Sequence, residues 1–97
     1  MASFELSGAC LKVSGILDGE AEVPLRAKLQ ELTESGEKSL ELDLTAVESI
    51  TSICIGALVA FWIDLSEAGG KLKFSSSDQV KRVLDMTGLT SVLMKDG

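Results

Sequence analysis

The sequence predicts an α/β domain: a four-stranded, mostly parallel sheet with an N-terminal edge hairpin and helices packed mainly on one face. Three observations predict it. Apolar residues alternate with polar ones at Phe4/Leu6, Leu11/Val13, Leu40/Leu42/Leu44 and Leu72/Phe74, the two-residue period of a strand. Between and after these runs the apolar spacing lengthens to that of helices. The resulting order, β-β-α-β-α-β-α, contains three consecutive strand–helix units, which imply parallel strands joined by right-handed crossovers.

Each element follows from local chemistry. Ser7-Gly8 reads as the turn between the first two strands, which makes them a hairpin. Leu17-Asp18-Gly19 breaks the second strand. Pro24 fits the first turn of a helix, where its missing N–H is no loss. Leu25, Leu29 and Leu32 then form one apolar stripe, and Gly36 is expected as the C′ residue that stops it. Leu40, Leu42 and Leu44 put three leucines on one face and Glu41 and Asp43 on the other. Such a sheet covers one face with helices and leaves the other wet. Thr45-Ala46-Val47 is expected to leave the strand for a loop that reaches Ser52. In the next helix Ile55, Leu58, Val59 and Trp62 share a face, widened by Phe61 and Leu65. Trp62 is expected as core filling, and Gly69-Gly70 ends the helix. Ser77 or Asp78 caps a last helix with Val80, Val83 and Leu84 inward, Lys81 and Arg82 in solvent, and Gly88 as its stop. Leu89 to Met94 is expected to dock on the core.

Composition sets bounds. The chain has 97 residues, enough for one domain spanning residues 1–97. Its net charge of −6 argues against nucleic acid, since nothing here would neutralise a phosphate backbone, and suits partners with basic surfaces. Ile53 to Ile63, broken by Gly56, is too short to cross a bilayer, so no membrane insertion is expected. The start of the chain has no basic region followed by a long apolar run, as a signal peptide would have. Cys10 and Cys54 match no metal or redox spacing and read as buried, reduced thiols of a cytoplasmic protein. There is no histidine, no tyrosine and no phosphate-cradling glycine loop. The acids converge nowhere beyond Glu48 near Asp18. Neither catalysis nor a cofactor is expected.

In open sheets of this kind, sites gather outside the carboxyl ends of the parallel strands. The loops Ile16 to Glu20 and Ala46 to Ser52 leave such ends, so Asp18 and the hydroxyl cluster of Ser49, Thr51 and Ser52 are expected on one rim. Ser75-Ser76-Ser77 is expected to share it. One role for these hydroxyls is capping, which contributes about 1 kcal/mol. The other is phosphorylation, because a helix start tolerates negative charge while the modification changes a surface by nearly two charges.

The runs L-D-L-T-A-V-E-S-I-T-S-I-C-I-G-A-L-V from Leu42, E-A-G-G-K-L-K-F from Glu67 and V-K-R-V-L-D-M-T-G-L from Val80 resemble a STAS domain. That is the fold of bacterial anti-sigma factor antagonists and of the cytoplasmic tails of sulfate transporters. The resemblance covers about Phe4 to Leu93. The family usually carries D-S-S-G-L-G or D-S-T-G-L-G at the entrance of the central helix, with the second hydroxyl phosphorylated by a partner kinase. Laid on this chain, the motif's aspartate falls on Thr51, its first serine on Ser52 and its acceptor on Ile53. Its glycines fall on Cys54 and Gly56, and its leucine on Ile55. Isoleucine has no oxygen to phosphorylate. Ser52 is the nearby substitute, turned about 100° away on the helix.

The resemblance implies a non-catalytic regulatory module that binds an anti-sigma factor or a related kinase-like protein. The expected interface is Asp18, Ser49, Thr51, Ser52, Ile53 and Gly56, with Asp18 contacting the partner or closing a turn. The alternative is a STAS subunit of a lipid-transport ABC complex or a sensory assembly.

Overall fold

The computed structural model describes residues 2–87. It contains β1 (Ala2–Ser7), β2 (Cys10–Leu17), α1 (Glu22–Thr33), β3 (Ser39–Ile50), α2 (Ser52–Glu67), β4 (Lys71–Ser76) and α3 (Asp78–Thr87). The sheet order is β1-β2-β3-β4. β1 pairs antiparallel with β2, and β3 runs parallel to both β2 and β4. The element order and the mostly parallel sheet are those expected. Gly88 and the segment from Leu89 to Met94 lie outside the described residues.

The hairpin closes as its sequence requires. Ser7 pairs with Cys10, and Gly8 between them takes φ 58°, the first central position of a turn that favours glycine. α1 begins behind a turn held by Asp18, whose Oδ1 accepts the amides of Glu20 and Ala21, each at 3.1 Å. Its buried stripe is Leu25, Leu29 and Leu32. The helix ends with Glu34 as its C-cap, and Gly36 follows two residues on with φ 84°. The glycine therefore takes the left-handed turn one position later than expected.

β3 departs most from expectation. Leu40, Leu42 and Leu44 are buried on one face, but the strand does not end there. Val47 and Ile50 are also buried, while Thr45, Ala46, Glu48 and Ser49 are exposed. The inward spacing changes from two residues to three because β3 carries an extra residue against β2 twice. Lys12 and Ser14 pair with Asp43 and Ala46, and Gly15 and Ile16 with Val47 and Ser49. Each extra residue would flip the strand if the pleat stayed regular. As bulges, they keep Val47 and Ile50 inward. Asp43 secures the first. Its Oδ1 accepts the Thr45 amide at 2.9 Å and the Thr45 hydroxyl at 2.6 Å, and Ser75 reaches the same oxygen at 3.5 Å.

Both α1 and α2 link adjacent parallel strands in the same direction across the sheet, so right-handed crossovers place them on one face. Beneath them lies a single core built mainly of leucine, including Leu11, Leu17, Leu25, Leu42, Leu44 and Leu58. The opposite face, with Glu5, Lys12, Asp43 and Lys73, faces water. On α2 the buried residues are Cys54, Ile55, Ala57, Leu58, Phe61 and Leu65. Val59 and Trp62 are only half-buried against the core. The inner face is thus rotated from the expected one, toward Phe61 and away from Trp62.

The thiols also differ from one another. Cys54 is buried as expected, whereas Cys10 is half-buried beside the hairpin turn. Burial, and then the Glu41 carboxylate, push the Cys10 thiol up. At the end of α2, a Cβ on Gly70 would lie 2.9 Å from Leu65 Cγ and 3.0 Å from the Lys38 carbonyl oxygen. Substituting Gly70→Ala is expected to cost about 1–3 kcal/mol through this crowding, read as a lower urea midpoint at unchanged slope.

The Thr45 hydrogen bonds hold the Asp43 carboxyl below the ordinary carboxylate value. A carboxyl lowered in the folded state adds stability that is complete above its unfolded pKa of about 3.9 and is lost as the pH falls through the lower folded value. Asp43 is only half-buried, so solvent screening keeps the contribution small. Asp43→Ala is expected to lose about 1 kcal/mol at neutral pH. The gap to wild type should narrow below about pH 4 in parallel urea denaturation curves.

Candidate functional site

The bulged β3 runs six residues beyond Leu44, the last β3 residue paired with β4, and ends level with β2. Ile16 pairs with Ser49 and Leu17 with Ile50. The Thr51 amide then donates to the Leu17 carbonyl at 2.9 Å, and α2 begins. The Cys54 thiol, in the first turn, donates to the Asp18 carbonyl at 3.3 Å. These bonds bring Asp18, Ser49, Thr51, Ser52 and Ile53 to one rim. Ser49 stands there at the end of a strand, where a loop from Ala46 to Ser52 was expected.

Ser75, Ser76 and Ser77 do not join this rim, and the first two lie within β4 rather than after it. β4 stops pairing at Leu44, opposite Ser76. Ser77 is tied to the middle of β3, its amide donating to the Leu44 carbonyl at 3.2 Å and its hydroxyl to the Val47 carbonyl at 2.6 Å. The same oxygen accepts the Val80 amide at 3.4 Å and caps α3. Ser77 is thus the capping residue of the two candidates. Ser76 Oγ is buried without a hydrogen-bond partner. The overshoot of β3 past β4 is what separates the two hydroxyl clusters.

Each rim residue has a defined state. Both hydrogen bonds to the Asp18 carboxylate come from the turn before α1, so this side chain closes a turn. Thr51 is the N-cap of α2 with extended backbone, yet its side chain makes no cap hydrogen bond. The expected capping role of the entrance hydroxyls is therefore absent at this position. Burial raises the Cys54 thiol above its usual value, opposed by the Thr51 hydroxyl, so the thiol stays protonated at neutral pH and packs as a small apolar group. Ser52 and Gly56 are exposed, and Ile53 is 53% exposed. Ile53 thus presents hydrocarbon to solvent in the first turn of the helix.

Residues not singled out from the sequence share this character. Val23, in the first turn of α1, is 71% exposed and Ile63 on α2 is 45% exposed. For Ile63 the signal was present, since Ser52 through Ile63 contains no charged residue. A helix apolar all round is ordinarily buried all round. Beside α2 a groove of about 330 Å³ runs between the helices, walled by Arg26, Gln30, Ala60 and Asp64. Among the described residues, no three His, Cys, Asp or Glu side chains converge to hold a metal ion. No described helix is long and apolar enough to cross a membrane.

Comparisons with known proteins agree on the fold. An anti-sigma factor antagonist from Mycobacterium paratuberculosis superposes with a TM-score of 0.79 at 22% identity, covering 96% of this chain and 81% of its own. A Thermotoga maritima protein assigned as an anti-sigma factor antagonist gives 0.76 at 23% identity, with coverage of 94% and 81%. The antagonist SpoIIAA in its unphosphorylated form gives 0.65 at 15% identity, with coverage of 89% and 83%. No curated protein matches the sequence. Residues 2–95 match the family model described as "Mlab, STAS domain", and with that match spanning nearly its whole length, the chain belongs to the STAS family.

Proposed function

We propose that this domain is a non-catalytic, protein-binding regulatory module that docks a cytoplasmic partner through the rim of Asp18, Ser49, Thr51, Ser52, Ile53 and Gly56. The partner class is an anti-sigma factor or a related kinase-like protein. One observation carries the reading. The first turn of α2, where the family's phosphoacceptor falls, holds an exposed isoleucine. A hydroxyl there allows phosphate to switch a contact off. An isoleucine gives a permanently apolar contact of the kind found at the desolvated centre of interfaces. The module is then always competent to bind, and its control lies in its abundance or in another subunit.

A second reading, a STAS subunit of a lipid-transport ABC complex or a sensory assembly, draws on the outer face of α2. Permanent complexes have more apolar interfaces than transient ones, and Ser52 through Ile63 is uncharged. Gene neighbourhood separates the readings: an adjacent anti-sigma kinase supports the first, an adjacent ABC permease the second.

Phosphotransfer from the cognate kinase should leave the wild type unlabelled and label the Ile53→Ser variant. Stoichiometric phosphate on wild-type Ser52 overturns the lost switch. Ile53→Glu, which mimics the missing negative charge without touching the core, is expected to weaken partner binding at least about tenfold, measured by calorimetry.

A further inference from the structure

The outward side of α2 carries a regular apolar seam. Ile53, Gly56, Ala60 and Ile63 follow at i, i+3, i+7 and i+10, and all four are exposed. That spacing places them in one line along a helix, as in the seam of paired helices. Gly56 is informative on its own. It lies inside α2, where glycine is the least favourable residue after proline. It has no positive φ, and a Cβ added there would meet nothing within 4 Å. Nothing within this chain requires the missing side chain. A second backbone approaching closely would.

Charge decides what approaches. Asp64 and Glu67 follow the seam at its far end, both exposed. Asp18, Glu20 and Glu22 precede it across the Cys54 contact. Arg26, the cation on the groove wall beside α2, is ion-paired with Glu22. A second copy laid antiparallel on this seam would bring acidic ends against acidic ends, with −6 on each chain. Like-charge juxtaposition of that kind costs affinity.

We propose that α2 is docked along its whole outer face, from Ile53 to Ile63, by an amphipathic helix of a partner protein that flanks its apolar residues with lysine or arginine. This rests on the docking function proposed above and names the partner's chemistry. Ile53 and Ile63 anchor the two ends of the contact, and Gly56 and Ala60 let the helices approach between them. The carboxylates at both ends pair with the basic flanks, which makes association fast and salt-sensitive.

The test is a nitrogen-15 NMR titration of the full chain with a synthetic helical peptide carrying leucine at its seam positions and lysine elsewhere, and with the same peptide carrying glutamate for lysine. The lysine peptide is expected to shift the amides of Ile53, Gly56, Ala60 and Ile63, and the glutamate peptide to leave them unmoved. Ile63→Glu should weaken the lysine peptide at least tenfold even though it adds negative charge, whereas non-specific attraction would strengthen. Gly56→Leu should raise the melting temperature of the free chain while weakening the peptide. Equal binding of both peptides, shifts elsewhere on the surface, or unchanged affinity of Gly56→Leu overturns the proposal. So does a dimer of the chain alone in sedimentation that Gly56→Leu dissociates. Weakening by Ile53→Glu with none by Ile63→Glu confines docking to the rim and leaves only the function proposed above. No effect of either variant on the peptide or on the cognate partner removes both.

Discussion

The structure depends on one requirement placed on β3: to keep five apolar side chains on the core face while carrying the chain past the end of β4. Leu40, Leu42, Leu44, Val47 and Ile50 are all buried, yet their spacing fits no single regular strand. Two bulges reconcile the spacing with the pleat. The first is held by the Asp43 carboxylate through the backbone and side chain of Thr45. Without the first bulge Val47 would turn to water, and loss of either bulge alone would turn Ile50 outward, so the end of β3 would lose core contacts that hold it level with Leu17.

From that register the rim follows. The Leu17 carbonyl takes the Thr51 amide, and the Asp18 carbonyl takes the Cys54 thiol. These two bonds fix the start of α2 against the loop before α1. A buried, protonated thiol is a weak donor, so it suits a position whose role is to pack. At the rim, the Asp18 carboxylate is spent on its own turn. What the entrance exposes is hydrocarbon and two side chains with hydroxyls, Thr51 and Ser52.

Much of this was legible in the residues, and the failures have physical causes. The order of elements could be read because the leucines of α1 and of Leu40–Leu44 keep clean periods. The second half of β3 could not, because a bulge breaks the period that identifies a strand. Thr45-Ala46-Val47 therefore looked like a loop. The same error placed Ser75, Ser76 and Ser77 on the wrong level, since strand length sets where a following loop emerges. On α2 the near-uniform apolar content hides the inner face, and periodicity cannot rank Phe61 above Trp62 when both neighbours are apolar. That uniformity was the legible sign of an outer face that leaves Ile53 and Ile63 exposed.

The carboxylates around α2 have a second effect. Before any complex forms, an apolar helix face in water invites copies of the chain to cluster, and the mutual repulsion of molecules bearing −6 holds them apart. Colloidal protection and the proposed pairing with a basic partner helix therefore draw on the same acids. Acid or high ionic strength weakens both at once, so a cell that shields these charges would turn unbound copies from a soluble reserve into an aggregating pool.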